Sequence, residues 1–174
     1  MTDPQLADHF TRFLGPGTRA EQLARGVELW RHERPEFVSF TTRGLSDLDV
    51  AALKPQELVC SVQQGQDGAA AHLVKTMFEM ILETDRGPVV TQLIPGQAPI
   101  LERTNIYGLL ASSHPYLDDA FNAVTDDAGT ILVQIVTLLP LTAAEVQRGE
   151  QAGLDALIDT LEENDPPLLD VTRP

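Results

Sequence analysis

The sequence predicts an α+β fold, a mixed and mainly antiparallel sheet covered by helices, in one domain over residues 1–174. Three observations carry this. Residues 27 to 42 alternate apolar and polar side chains in two runs broken at Pro35, the period-2 signature of paired strands. "HLVKTMFEMIL" (72–82) instead gathers Leu73, Val74, Met77, Phe78, Ile81 and Leu82 on one broad helical stripe. "TILVQIVTLLPL" (130–141) is apolar on both faces, as suits a strand in the middle of a covered sheet. Strands clustered around one long helix, with another helix last, give a layered sandwich.

Taken in order, "PQLADHFTRFL" (4–14) places Leu6, Phe10, Phe13 and Leu14 at helical spacing, and "GPG" ends that helix. "TRAE" (18–21) has capping-box form and predicts a second short helix up to Gly26. "VELWRHE" (27–33) and "EFVSFTT" (36–42) are two tightly joined strands, and "ELVCSVQ" (57–63) is a third. The long helix follows within residues 65–84. "RGPVVTQLIPGQAP" (86–99) is turn-rich with room for one short strand, and "TNIYGLLAS" (104–112) is another strand. "SHPYLDDAFNAVTDDAG" (113–129) holds a short helix and a turn.

The junction "LLPLTAAEV" (138–146) is the clearest local signal. Thr142 is an N-cap whose hydroxyl can accept from the Glu145 amide, while the Glu145 carboxylate reaches back to the Thr142 amide. Leu141 and Val146 take the two positions of a hydrophobic staple, and Pro140 is expected to end the strand. Wound as one helix, residues 143–163 bring Val146, Gly153, Leu154, Leu157, Ile158 and Leu161 to one arc. Glu145, Asp155, Asp159, Glu162 and Glu163 gather opposite, relieved only by Arg148. Asp155 with Asp159, and Asp159 with Glu163, are like charges at i,i+4, each costing a few tenths of a kcal/mol. Acids near the helix C-terminus cost roughly 0.3–1 kcal/mol each when exposed. The ridge is either a solubilising face or a docking ridge for a basic partner. Gly149 and Gly153 are read as letting the helix backbone approach the sheet, and Glu150 as a carboxylate reaching past the apolar edge. Residues 164–174 are expected to form an extended tail.

Charge narrows the partners. Twelve Lys plus Arg against 26 Asp plus Glu give a net −14, and Lys54 and Lys75 are the only lysines. Such a surface repels phosphate backbones and anionic membranes and favours basic proteins, so neither nucleic acid nor membrane is an expected partner. "MTDPQLADHF" lacks the basic and apolar regions of a secretory signal, and no run approaches the roughly 20 apolar residues that span a bilayer. A cytoplasmic protein is expected.

No cofactor, metal ligand or catalytic residue is indicated. His9, His32, His72 and His114 fall in four different elements without metal-ligand spacing. Cys60, the one cysteine, alternates within a strand and reads as a buried structural thiol. Ser113 beside His114 is a poor dyad geometry. Trp30, on a strand with Arg31 and near Arg34, reads as core or rim packing. A rival reading is a small enzyme whose site assembles from separate elements around His114 and Glu102; another is a peptide-binding regulatory domain with a groove beside "RGLSDL".

"ILVQIVTLLPLTAAEVQRGEQAGLDALI" resembles the closing segment of the suppressor of fused (SUFU) domain family: an apolar strand, a proline, Thr-x-x-Glu, and a helix with an internal glycine before a leucine. "FVSFTTRGLSDL" resembles the family's strand leading into a Gly-Leu-Ser turn, here Gly44, Leu45 and Ser46. "ELVCSV" and "TNIYGLL" are similar to two further strands, and together these span roughly residues 36–163 in family order. The resemblance implies a non-enzymatic protein-binding domain. Small bacterial relatives are proposed as immunity proteins that neutralise a toxin domain, here by occluding a basic one. A further C-terminal region like the animal protein's is not expected here, so that protein's regulatory role is not implied. The expected partner contacts are Arg43, Gly44, Leu45 and Ser46 in the turn, and Asp155, Asp159, Glu162 and Glu163 on the last helix.

Overall fold

The computed structural model describes residues 3–174. In chain order it has helix α1 (Asp3–Leu14), strands β1 (Gly17–Gln22), β2 (Glu28–Glu33), β3 (Val38–Arg43) and β4 (Gln56–Val62), helix α2 (Asp67–Thr84), strands β5 (Gln92–Pro95), β6 (Ile106–Ser112), β7 (Ala123–Thr125) and β8 (Ile131–Thr142), and helices α3 (Ala143–Ala152) and α4 (Leu154–Asn164). The strands form one 8-stranded sheet in the order β1-β2-β3-β4-β8-β6-β5, with β7 pairing β8 beside the end of β6. Among the described residues β4 and β8 pair in parallel and every other pair is antiparallel. This is the mixed, mainly antiparallel α+β architecture that the sequence predicts.

Alternation along the central strands feeds two covered faces. Leu58, Cys60 and Val62 of β4 join Val136 and Leu138 of β8 against the α2 stripe of Leu73, Val74, Met77, Phe78 and Ile81. On the other face Val59, Val133 and Ile135 meet Leu6, Phe10, Phe13 and Leu14 of α1. Farther along that face, Leu110, Leu139 and Leu141 pack against Val146 and Leu157 of α3 and α4. The doubly apolar sequence of β8 follows from this burial on both sides.

Several expectations are corrected. Residues 18–22 are a strand, not a helix: they carry no apolar stripe for a helix to bury and are exposed, and pairing with β2 gives their backbone a ladder. The Arg19–Glu28 contact at 2.9 Å ties the two strands. β7 has three residues, too few for alternation to reveal it. Pro140 lies inside β8 rather than ending it. The β4 ladder along β8 stops at Thr137, so the side where the missing N–H points carries no ladder there. The Pro140 carbonyl, on that same side, accepts from Arg173 at 2.7 Å.

The predicted last helix is two helices. Gly153, at φ 92 and ψ 168, closes α3 by donating to the Gly149 carbonyl and opens α4 by accepting from the Leu157 amide. That backbone region is essentially reserved for glycine. Gly149 fits the expected role of close approach, for a Cβ there would stand 2.9 Å from Leu93 and 3.2 Å from Leu157. Residues 165–174 form turns that pack back on the molecule, burying Leu169, Val171 and Arg173. They bridge the opening between β4 and β8: the Leu169 carbonyl accepts from the Gln63 amide at 2.9 Å, while Arg173 reaches Pro140.

Candidate partner-binding surface

The Gly-Leu-Ser turn is anchored from below. Glu57 of β4 is fully buried. One of its carboxylate oxygens accepts from the Gly44 amide at 3.0 Å, the Ser46 amide at 3.0 Å and the Ser46 hydroxyl at 2.7 Å. The other accepts from the Thr42 hydroxyl at 2.6 Å. Burial pushes this carboxyl group above its usual range, and the four donors pull it back. The positive φ of 96° at Gly44 turns the chain so that both amides converge on one oxygen. Leu45 is 1% exposed and belongs to the core, and Arg43 lies under Trp30 with its guanidinium 3.6 Å from the ring centroid. Of the four turn residues named from the sequence, Gly44 and Ser46 reach the surface in part. They border a hollow of about 240 Å³ with Glu28 and Asp47.

The α1-side face holds a buried polar seam that the sequence did not reveal. Ser39 and Ser61 lie 2.6 Å apart, and Ser61 Oγ is 2.9 Å from His114 Nε2. This is a serine–histidine pair, but its polarity opposes nucleophile activation. The Tyr116 amide can only donate, and it donates to His114 Nδ1 at 3.2 Å. The neutral ring therefore carries its proton on Nε2 and donates to Ser61, whereas a general base there would have to accept from the serine. Burial, helped by the Arg34 charge, holds the imidazole at about 4, so it is neutral at pH 7.

Glu102 does not approach this pair. It borders a separate hollow with His72. His9 and His32 do join His114 within one aromatic cluster: His9 stacks on Phe121, Phe10 packs on His32, and Phe37 and Phe121 flank His114. Among the described residues no group of three His, Cys, Asp or Glu is placed to hold a metal ion. The Cys60 thiol is buried and pushed up to about 12, which makes it unreactive at neutral pH.

Asp155, Asp159, Glu162 and Glu163 are all exposed along α4, and among the described residues none takes part in an ion pair. The break at Gly153 divides their energetics. Asp155 now sits in the first turn of α4, where the helix dipole favours a carboxylate. Glu162 and Glu163 remain at the disfavoured C-terminal end, and Asp159 keeps a like charge one turn away on each side. Glu145 leaves the ridge altogether. Its carboxylate accepts from the Thr142 amide, completing the capping box, and from Arg173. Glu150 is exposed.

Two hollows meet at Tyr116, which lines both and is 48% exposed, and the second of them lies beside the ridge. One, about 420 Å³, is bordered by Arg34, Glu36, Phe37, Gln63, Pro167 and Leu169. The other, about 270 Å³, has a floor of Leu110 and Leu139, a wall of Ile158 and Leu161, and Glu162 and Asp165 at its rim. Loops and helix ends far apart in sequence build both, so no local pattern announced them.

The geometry is that of a helix-roofed mixed sheet presenting an acidic helical ridge beside an apolar hollow. The sequence model of the suppressor of fused protein (SUFU) family matches residues 24–174, and the chain belongs to that family. The match extends the 36–163 resemblance through β2 and through the packed tail. No curated protein sequence matches the chain. Among solved structures, the chain is similar to a protein from Neisseria gonorrhoeae FA 1090 described as a SUFU homolog, with TM-score 0.68, 15% identity and coverage of 99% of this chain and 94% of that one. It is also similar to a chain of the Sufu–Fu complex, with TM-score 0.69, 11% identity and coverage of 99% and 88%. At these identities the likeness is one of fold. Among the described residues no helix is long and apolar enough to cross a membrane.

Proposed function

We propose that this chain is a non-enzymatic, cytoplasmic protein-binding domain that docks a basic protein partner on α4, in the manner of an immunity protein occluding a toxin domain. The observation that carries the reading is the set of exposed carboxylates of Asp159, Glu162 and Glu163, which no described cation pairs and which sit where a helix gains nothing from them. A net charge of −14 steers a cationic protein toward this face and speeds its association at low salt. Family membership and the fold shared with a chain of the Sufu–Fu complex support protein binding. The donor polarity of His114 toward Ser61 supports a non-catalytic reading. Co-purification with the product of the neighbouring gene, at low and at high salt, tests the proposal. A complex that weakens with salt and with the Asp159→Asn/Glu162→Gln/Glu163→Gln variant agrees with it, and failure to bind that product counts against the immunity role.

A second reading rests on the hollow beside Gly44 and Ser46, which would suit a peptide docking at the turn. Ser46→Trp, which fills that hollow, should then abolish a complex that the α4 variant leaves intact.

A further inference from the structure

We propose that the hollow between Tyr116 and α4 receives an aliphatic side chain of a basic partner segment, with the lysines or arginines flanking that side chain paired to Glu162 and Asp165. This rests on the docking reading above and adds the residue chemistry that the partner presents. The floor, Leu110 and Leu139, is buried at 3% and 4% exposure, while Ile158 and Leu161 remain only half-buried on α4. An apolar wall left partly open in this way gains when a second apolar group covers it. At about 270 Å³ the hollow falls just below the ~300–1,000 Å³ of ordinary small-molecule pockets, so it suits a single side chain better than a cofactor.

The rim decides which chain brings that side chain. Glu162 follows Leu161 directly, and Asp165 lies one helical turn beyond it, so two carboxylates stand over the apolar wall without a described cation. A second copy of this chain would bring another −14 and be repelled, as would an anionic membrane or a nucleic acid. The adjoining hollow does not alter this preference, because Arg34 and Glu36 there face each other at 3.4 Å. A central apolar anchor within a polar, charge-matched rim is the arrangement in which interfaces concentrate their binding energy.

Three fluorescein-labelled peptides of equal length test this by fluorescence polarisation: one with leucines between lysines, one with serines replacing the leucines, and one with glutamates replacing the lysines. The leucine–lysine peptide should bind about tenfold or more tighter than either of the others. Tyr116→Ala and Ile158→Asp should each weaken it about tenfold without changing the urea midpoint by more than a surface substitution does. Glu162→Gln/Asp165→Asn should weaken it and flatten its salt dependence. Tyr116 and Ile158 are open to solvent on one side, so at least one of those variants reports on binding in a folded protein. Equal binding of the leucine–lysine and serine–lysine peptides, with loss in the charge variant, would overturn the anchor while leaving acidic docking in place. Equal binding of the glutamate peptide would overturn the charge pairing, and no binding of any peptide at ~1 mM would overturn the inference as a whole.

Discussion

Arg173 and Glu145 meet at 2.8 Å with side-chain exposures of 3% and 14%, so the helix cap that closes β8 is also the counter-charge of a buried arginine. The same Glu145 carboxylate oxygen accepts from the Thr142 amide at 2.7 Å. Glu145→Ala should therefore cost about 3–5 kcal/mol in urea unfolding, because it strands a buried guanidinium. Thr142→Ala, which removes the cap hydroxyl and one methyl but strands no charge, should cost about 1–2 kcal/mol. The double variant Glu145→Ala/Arg173→Met should recover much of the loss, and strictly additive costs would contradict the pairing.

Glu57 makes a similar commitment at the turn. Two amides and two hydroxyls bond its carboxylate, so Glu57→Gln would keep one accepting oxygen, turn its NH2 toward the Thr42 hydroxyl and leave a second buried N–H without a partner. The expected cost is about 1.5–3 kcal/mol, the range for hydrogen bonds to a charged group. Hydrogen exchange should quicken at Gly44 and Ser46, and unchanged protection there would contradict the anchoring role.

Gly153 bears the change of direction between α3 and α4. A Cβ there meets nothing within 4 Å, so the penalty of Gly153→Ala is one of backbone strain alone. The substitution should lower stability by about 1–3 kcal/mol. A neutral or stabilising result would mean that residues 143–163 prefer one continuous helix.

Acid sensitivity follows from His114. In the unfolded chain its imidazole takes a proton near 6.5, but in the folded protein only at about 4, burial being the main cause. Between those values the unfolded state binds more protons, so stability is full above pH 6.5 and is lost as pH falls toward 4. The whole window is worth about 3 kcal/mol at 1.36 kcal/mol per pH unit. His9 and His32 are depressed in the same direction, again chiefly by burial. Urea titrations across this window should give a shallower pH dependence for His114→Gln than for the unsubstituted protein, and identical slopes would contradict the assignment.

What could be read from sequence was local. The Thr142–Glu145 capping box and the α2 stripe are spacings within one element, and both stand in the structure. Arg173 is 28 residues from Glu145, and Ser61 is 53 from His114. No periodicity links such positions, so the nearer Ser113 drew attention instead. "TRAE" carried a genuine capping pattern but no apolar stripe behind it, and pairing with β2 prevailed. Gly153 does not serve the close approach expected of it, for a Cβ there meets nothing within 4 Å; its cost of about 1 kcal/mol relative to Ala inside a helix is the available sign of a break. The acidic ridge was legible as composition on a helix face. The Tyr116 hollows were not, because they join the ends of β6, α4 and the tail.

The central claim is that the exposed carboxylates of α4 serve a partner at the expense of the fold. The most direct measurement is the unfolding free energy of Asp159→Asn/Glu162→Gln/Glu163→Gln against the unsubstituted protein at low ionic strength. Relief of the dipole and like-charge penalties should make the variant more stable by about 1 kcal/mol, with the difference shrinking in salt. A variant of equal or lower stability would show that these carboxylates hold the molecule together, and would contradict the account.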